Sequence, residues 1–316
     1  MWGLESLKFF LSRGEVLVTT AIWGSSLYTI VEGPNWDDAQ LNAESLGGDL
    51  ASINNAEENS FIAQEFSQEK YFYDGDSNPW DPDFYTHFWL GGVFNRDSLE
   101  WEWISGQEWE FDYFLRDHPV MPIPNDSGNP EFNYLAGIFN VTSNYPSGGI
   151  IHGDGPGTYY WDDGPNDYGG PTRNFFKGIA ELPLNLTTNF PAELNEGDDF
   201  LLNIDLTAGS TETTYTSGQT IWYQIDGVQE SDFTNDVSLS GWGVIAESGN
   251  IILDGPTDEG IALNLVADSE DEGETLSISF YSEDPSTTTF DLSQIQIGET
   301  VSAEVIDAAD PITGTL

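Results

Sequence analysis

The alternation of apolar and polar residues predicts a mixed helix and strand structure at the start of the chain. Residues 26–32 (SLYTIVE) alternate with a period of two, which is typical of a strand. A helix is then predicted with Asn35 as its N-cap, because apolar residues recur at helical spacing from Trp36 onward. A second helix is predicted to open at Asn55, since Glu58 stands three residues later in a capping-box pattern.

Beyond the second helix, short apolar segments are separated by long polar stretches. WLGG at 89–92 is predicted to be a buried strand, and WEW at 101–103 alternates like another strand. Three stretches are rich in Gly, Pro, Asn and Asp, at roughly 73–86, 117–131 and 143–172. Connections of this length are uncommon in compact domains, and they typically form a binding surface or hold ions.

The last third of the chain is predicted to be all-β. Seven short segments rich in Thr and Ser show no helical periodicity: FLLNIDL, TIWYQI, GVIAE, IALNLVA, TLSISFYS, SQIQIG and VSAEVID. Short strands at this spacing suggest a β-sandwich. We therefore expect an N-terminal strand segment, an α+β domain, a linker and an all-β sandwich, with bounds at 1–23, 24–183, 184–193 and 194–316.

The charge balance restricts the partners of the chain. Its 316 residues include 55 Asp and Glu but only 7 Lys and Arg, a formal net charge of −48. Such a surface repels nucleic acid and anionic membranes, and neither is expected as a partner. Two explanations of the acids stay open: a solvated surface suited to salty water, or carboxylates that converge on Ca²⁺.

The chain has no cysteine and three histidines, which excludes disulfides and cysteine nucleophiles and argues against a multi-histidine metal centre. No apolar stretch approaches the ~18 residues that a membrane span needs, so no membrane insertion is expected. The N-terminal residues lack the pattern of a standard signal peptide. We expect a fragment of a longer protein, or non-classical bacterial-type export.

Five motifs occur along the first half: WDDA with GGDLASI (36–53), WLGG (89–92), WEWISG (101–106), WDD (161–163) and GIAE (178–181). In this order they resemble a C-type lectin-like domain over about residues 24–183. The resemblance implies an α+β fold with two helices, small antiparallel sheets and long loops. The usual disulfide positions of the family read Ala43 and Ala180, so the domain resembles a cysteine-free bacterial type.

The lectin resemblance also implies a Ca²⁺ site that bonds sugar hydroxyls. Sugar-binding members hold the ion with an E-P-N loop, a Glu six residues beyond its Asn, and the Asn-Asp of W-N-D. The residues at the ligand positions here are Asn125, Glu131, Asp162 and Asp163. Ile123 stands where the family has a carboxylate, which removes one ligand oxygen. Three readings stay open: weak Ca²⁺ binding, an ion-free turn, or a ligand surface on the inserted loops.

The last domain resembles a Calx-beta-like sandwich of bacterial adhesin type through three segments, NEGD (195–198), ESDF (230–233) and DSEDEGE (268–274). The resemblance implies a Ca²⁺ ion at one end of the sandwich. The implied ligands are Glu196, Asp232, Asp271 and Glu274.

Aromatic residues beside acids in the long loops are further candidates for ligand contact, because aromatic faces can stack on sugar rings. The candidates are Trp80, Tyr85, Tyr159 and Tyr160. The same side chains can equally pack against the domain and hold a long loop in place.

We expect a non-catalytic extracellular or cell-surface recognition and adhesion module that binds a glycan or an extracellular protein through these loops. The alternative is a purely structural segment of a surface fibre that self-assembles without a soluble ligand. An enzyme is not expected, because the chain has no nucleophile elbow, P-loop or HExxH motif.

Overall fold

The computed structural model describes residues 20–66, 85–111, 134–140, 159–164, 177–210, 215–235, 237–253, 259–267 and 274–307, with the backbone alone at 85–87, 136–140 and 159–164. The chain divides into two compact units. The first unit contains Leu27–Pro183, and the second contains Leu184–Leu316 together with Ile22–Ser26. Residues 24–26, which are predicted to begin the lectin-like domain, belong to the second unit instead.

The first unit combines two helices with a mixed sheet. In chain order, the elements between residues 20 and 188, of which β1, β2 and β8 include residues of the second unit, are β1 (Thr20–Trp23), β2 (Ser26–Glu32), α1 (Trp36–Ser45), β3 (Asp49–Leu50), α2 (Ala56–Phe66), β4 (Tyr85–Asn95), β5 (Glu100–Trp103), β6 (Tyr134–Asn140), β7 (Tyr159–Gly164) and β8 (Lys177–Thr188). The strand order is β1-β2-β8-β4-β6-β7, with β3 on β8 and β5 on β4. β4 and β8 run parallel, whereas β6 is antiparallel to both β4 and β7.

Helix α1 begins and ends where the sequence predicts. The Asn35 side chain accepts a hydrogen bond from the Asp38 backbone N–H at 2.8 Å, which satisfies one of the free donors at the helix start. Its apolar face is buried at Trp36 and Ala39. The helix ends before Gly47, whose φ of +86° lies in the left-handed region that glycine adopts without steric cost.

Helix α2 confirms the predicted start but only half of the predicted capping box. The Asn55 side chain accepts from the Glu58 backbone N–H at 2.7 Å. The Glu58 carboxylate does not return to Asn55. It accepts from the backbone N–H of Asn54 at 2.8 Å instead. Ile62 and Phe66 are fully buried, as their spacing on one helix face predicts.

The core of the first unit is built on the tryptophan motifs. Trp89 and Leu90 in β4 are fully buried. The indole N–H of Trp36 donates to the Leu90 carbonyl at 2.8 Å and so fastens α1 to β4. Ala43 and Ala180, which stand at the usual disulfide positions of the resembled family, are both fully buried. Both positions therefore lie in the apolar core.

The second unit consists of strands with one short α-helix and one 3₁₀ turn, Glu230–Asp232, among its described residues. In chain order these are β9 (Glu193–Asn195), β10 (Asp199–Leu202), β11 (Ile204–Ala208), β12 (Thr220–Asp226), β13 (Ser240–Ile245), β14 (Ile251–Leu253), β15 (Ile261–Asn264), β16 (Thr275–Tyr281), α3 (Leu292–Ile295) and β17 (Gln296–Ile306). Six form a sheet in the order β14-β13-β12-β16-β17-β9, and β10 pairs with β15. Buried and exposed positions alternate along β12, as in a sheet that packs through one face. The arrangement of these sheets as a sandwich stays a prediction.

Two segments of this unit differ from the sequence analysis. Leu184–Thr188, placed there in a linker, is the end of β8 and pairs with β11. Its residues alternate in exposure, which is the period of a strand rather than of a free connection. The predicted strand SQIQIG starts as the single helical turn α3, because the Asp291 side chain accepts from the Ser293 N–H and caps it. None of the helices described in the chain is long and apolar enough to cross a bilayer.

Candidate functional site

The predicted lectin-loop ligands fall into two groups. Asn125 and Glu131 lie outside the described residues, as does Ile123. Asp162 and Asp163 lie in β7, where their Cα positions pair with Ala136 and Leu135 of β6. Because β6 also pairs with β4, the WDD segment is two strands away from the WLGG segment in one sheet. The convergence of the four ligands on one ion stays a prediction.

The candidate stacking residues are in strands where the structure describes them. Tyr159 and Tyr160 belong to β7 and pair with Phe139 and Ile138 of β6. Tyr85 is the first residue of β4 and pairs with Asn140. The expectation that these three residues lie in loops is wrong, because consecutive aromatic residues favour strands when a partner strand is present. Trp80 lies outside the described residues.

The predicted Ca²⁺ ligands of the second unit that the structure describes form hydrogen bonds with nearby residues of that unit. The Asp232 carboxylate accepts from the Gln229 backbone N–H at 2.5 Å and from the Ser231 hydroxyl at 3.2 Å. The backbone of Glu196 bonds to Ile306, and that of Glu274 bonds to Val305, so β17 holds both residues near one end. Asp271 lies outside the described residues. Within the part of the chain that is described, no three His, Asp or Glu side chains form a group able to hold a metal.

A buried carboxylate that the sequence analysis assigned only to capping lies in the first unit. Glu58 is 4% exposed, and its carboxylate accepts from the Tyr28 hydroxyl at 2.5 Å and from the Asn54 N–H at 2.8 Å. Burial, and then the negative charge of Glu181, raises the pKa of Glu58 to about 7. This carboxyl group therefore changes charge near neutral pH.

The surroundings of Glu58 tie four parts of the first unit together. The Glu181 carboxylate on β8 accepts from the Ser52 N–H at 3.1 Å. The Ser52 hydroxyl lies 2.7 Å from the Ser105 hydroxyl in the turn after β5. We call this set the Glu58 network, and its side chains come from Tyr28, Ser52, Asn54, Glu58, Ser105, Gln107 and Glu181. The network links β2, the start of α2, β8 and the WEWISG turn.

The sequence carries a signal for part of this network. The spacing from Asn55 to Glu58 indicates that the Glu58 carboxylate turns back toward the helix start. Nothing in that spacing indicates that Tyr28, on a strand 30 residues earlier, covers the carboxylate and donates to it. The pKa of Glu58 is therefore a tertiary property, visible only once β2 is placed beside α2.

Comparison with known proteins finds a family match within the first unit. Residues 32–131 match the family model described as the lectin C-type domain. The match covers less than half of the chain. No curated protein matches the chain in sequence.

Solved structures similar to the chain include human lithostathine, at 21% identity over 52% of this chain and 95% of that one, with a TM-score of 0.34. Another is the C-type lectin CEL-I from Cucumaria echinata, at 16% identity over 52% of this chain and 94% of that one, with a TM-score of 0.32. A third is the C-type carbohydrate-recognition domain of cow CD23, at 17% identity over 52% of this chain and 92% of that one, with a TM-score of 0.31.

Proposed function

We propose that this protein is a non-catalytic glycan-recognition module that acts in adhesion outside the cell. The observation that carries the proposal is the C-type lectin domain at residues 32–131. The WDD segment at 161–163 supports it, because β7 joins that segment to the same sheet as the WLGG strand of the domain. The long stretches between these strands supply the surface for the glycan.

We infer that Ca²⁺ assists binding through Asn125, Glu131, Asp162 and Asp163. Carboxylate and amide oxygens are the ligands that Ca²⁺ prefers, and a hard cation with open positions accepts sugar hydroxyls. Water takes the position that Ile123 leaves without a carboxylate. A site of this kind belongs with extracellular Ca²⁺ modules, for which Kd is about 10⁻⁴–10⁻³ M.

The charge of the chain favours an uncharged ligand. With 55 acidic and 7 basic residues, the protein repels anionic glycans, whereas hydroxyl groups can donate to its carboxylates. An enzyme is not proposed, since the acid pairs of the chain have no accompanying nucleophile motif. We further propose that the second unit is a Calx-beta-like sandwich that carries the lectin domain at an extracellular surface.

Glycan-array binding in millimolar Ca²⁺ tests the proposal, with a second array in chelator. Binding is expected in Ca²⁺ and is expected to fall in chelator and in Asp163→Ala. The matched control is Asp97→Ala, which removes an exposed carboxylate from the β4–β5 turn of the same domain. Equal binding by Asp163→Ala and Asp97→Ala would contradict the Ca²⁺ site, and no binding to any glycan would contradict the function.

A further inference from the structure

The six-stranded sheet of the second unit carries two tryptophans on its outer face. Along β12, the buried residues Ile221, Tyr223 and Ile225 alternate with partly exposed ones, so Trp222 points away from the core. Trp242 of β13 is the register partner of Trp222 and therefore shares its face. Trp242 is 42% exposed. Two neighbouring indole groups on one face form a contiguous apolar surface, which is a better candidate for ligand contact than a single exposed side chain.

The inner side of β13 explains why its tryptophan points outward. Gly241 and Gly243 flank Trp242 in the sequence SGWGVI. A Cβ atom at Gly241 would lie 2.7 Å from the Tyr223 hydroxyl oxygen, and one at Gly243 would lie 2.5 Å from Ile251. Core side chains therefore fill the space under both glycines. The strand carries its one bulky aromatic group on the outer side of the sheet.

The outer face has a simple chemical pattern. Tyr281 of β16 follows Trp242 and Trp222 in the same cross-strand row and is buried at 5% exposure, so the accessible part of the row is the tryptophan pair. The next row along the strands is polar and consists of Ser240, Gln224, Ser279 and Thr300, of which Ser279 is buried and hydrogen-bonded to the Thr300 hydroxyl. A further row contains Asp226, Ser277 and Ser302. A narrow aromatic strip thus borders two rows of hydroxyl, amide and carboxylate groups.

Charge determines which ligand this face fits. Lys177 is the last basic residue of the chain, and no Lys, Arg or His occurs from 178 to 316. An anionic ligand would meet repulsion without a compensating cation among residues 178–316. A neutral sugar ring matches both parts of the pattern, because its C–H face is apolar and its hydroxyls donate to oxygen acceptors such as Asp226 and Gln224.

We propose that the outer face of this sheet binds a neutral polysaccharide, with Trp222 and Trp242 as the platform for its sugar rings. This site is separate from the lectin loops and does not require Ca²⁺. Adjacent strands lie about 4.8 Å apart, so the register partners present neighbouring indole groups to a chain that runs across the strands. The polar rows fix the hydroxyls at the rim of the rings.

The rival explanation is that the two tryptophans only stabilise the sheet. Aromatic residues directly opposite each other on neighbouring strands do stabilise hairpins. A purely structural pair predicts that substitution alters the melting temperature and leaves ligand retention as it was. The test therefore needs a variant that keeps cross-strand apolar contact and removes the flat aromatic face, which Trp242→Leu provides.

Affinity electrophoresis of the full chain in chelator tests the proposal. The gels contain laminarin, galactomannan or hydroxyethylcellulose, with alginate as the anionic comparison, and pull-downs use microcrystalline cellulose and chitin. Retention is expected on at least one neutral polysaccharide and not on alginate. Trp242→Leu and Trp222→Leu are expected to weaken it at least about tenfold, as expected for loss of an aromatic anchor.

The matched control is Leu201→Ala. Leu201 is 45% exposed on β10 of the same unit, outside the six-stranded sheet, and its loss is expected to leave retention unchanged. Retention of Trp242→Leu equal to that of the original chain would overturn the proposal, and so would retention on none of the neutral probes. Retention that requires Ca²⁺ would assign the binding to the lectin domain instead.

Discussion

Replacing Glu58 by Gln is expected to stabilise the first unit at neutral and alkaline pH. The substitution keeps the length and shape of the side chain but removes its charge. The carbonyl of the introduced glutamine side chain can accept from the Asn54 N–H, and its amide can donate to the Tyr28 oxygen, so both bonds of the carboxylate are replaced. The change therefore removes mainly the cost of a buried negative charge.

The magnitude follows from the shift in pKa. The pKa of Glu58 rises from 4.5 to about 7 on folding, because of burial and then of Glu181. Below pH 4.5 the group is protonated in both the folded and the unfolded chain. Between pH 4.5 and 7 the folded state binds more protons, so the free energy of unfolding falls as pH rises. Above pH 7 the free energy of unfolding is lower than at acid pH by about 3 kcal/mol, because each pKa unit corresponds to about 1.4 kcal/mol.

Hydrogen exchange measured by mass spectrometry at a series of pH values between 4 and 8.5 is the suitable assay. It reports peptides of α2 separately, which matters because unfolding of a chain with two units is not a single two-state event. Rates are corrected for the intrinsic pH dependence of exchange, and chelator keeps cations from masking the charge. Protection of α2 is expected to fall from pH 4.5 to 7 in the original chain and to fall clearly less in Glu58→Gln, where burial still raises the pKa of Glu65 on the same helix.

The control is Glu57→Gln, which removes a partly exposed carboxylate from the same helical turn. Its pH profile is expected to follow that of the original chain. Parallel profiles for Glu58→Gln and the original chain between pH 4.5 and 7 would refute the reasoning. They would mean that the carboxyl group keeps a similar pKa in the folded and unfolded states.

Three further predictions concern the lectin domain. Ca²⁺ at ten to a hundred times Kd is expected to stabilise it by about 1.4–2.7 kcal/mol, measured as a rise in melting temperature; the same rise in Asp163→Ala would contradict the proposed ligands. Asn35→Ala is expected to lower the free energy of unfolding in urea by about 1 kcal/mol, because the Asp38 N–H loses its hydrogen-bond acceptor. An unchanged urea midpoint would show that the cap contributes nothing. Trp36→Phe is expected to lower the free energy of unfolding in urea by about 1–3 kcal/mol, since the buried Leu90 carbonyl loses its indole donor. A decrease below about 0.5 kcal/mol, half the net value of one hydrogen bond, would contradict that role.

Local signals in the sequence were sufficient for the helices. Asn35 and Asn55 each cap the helix predicted from them, because an N-cap bond joins residues only three apart. The buried face of α1 likewise follows from the spacing of Trp36 and Ala39. These features depend on neighbours in the chain, so no knowledge of the tertiary structure is needed to predict them.

Features that depend on distant partners were not predictable. The pairing of Leu184–Thr188 with β11 turns an apparent linker into a strand, and the partner follows two further strands, β9 and β10, along the chain. The high pKa of Glu58 needs Tyr28 and Glu181 beside it. In the same way, the alternation in TIWYQI indicates which side Trp222 takes, but only the register shows that Trp242 lies opposite it.

The two proposed binding surfaces differ in whether they need Ca²⁺, so their binding can be measured separately in one protein. Lectin-loop binding depends on an ion and should disappear with chelator, whereas the tryptophan face has no basic residue and needs no ion. If both surfaces bind parts of the same polysaccharide, linkage on one chain raises the apparent affinity without any new contact. Removing either surface would then reduce retention to the affinity of the surface that remains. A doubly substituted chain, Asp163→Ala with Trp242→Leu, should therefore be retained less than either single variant, because no intact second surface holds the polysaccharide.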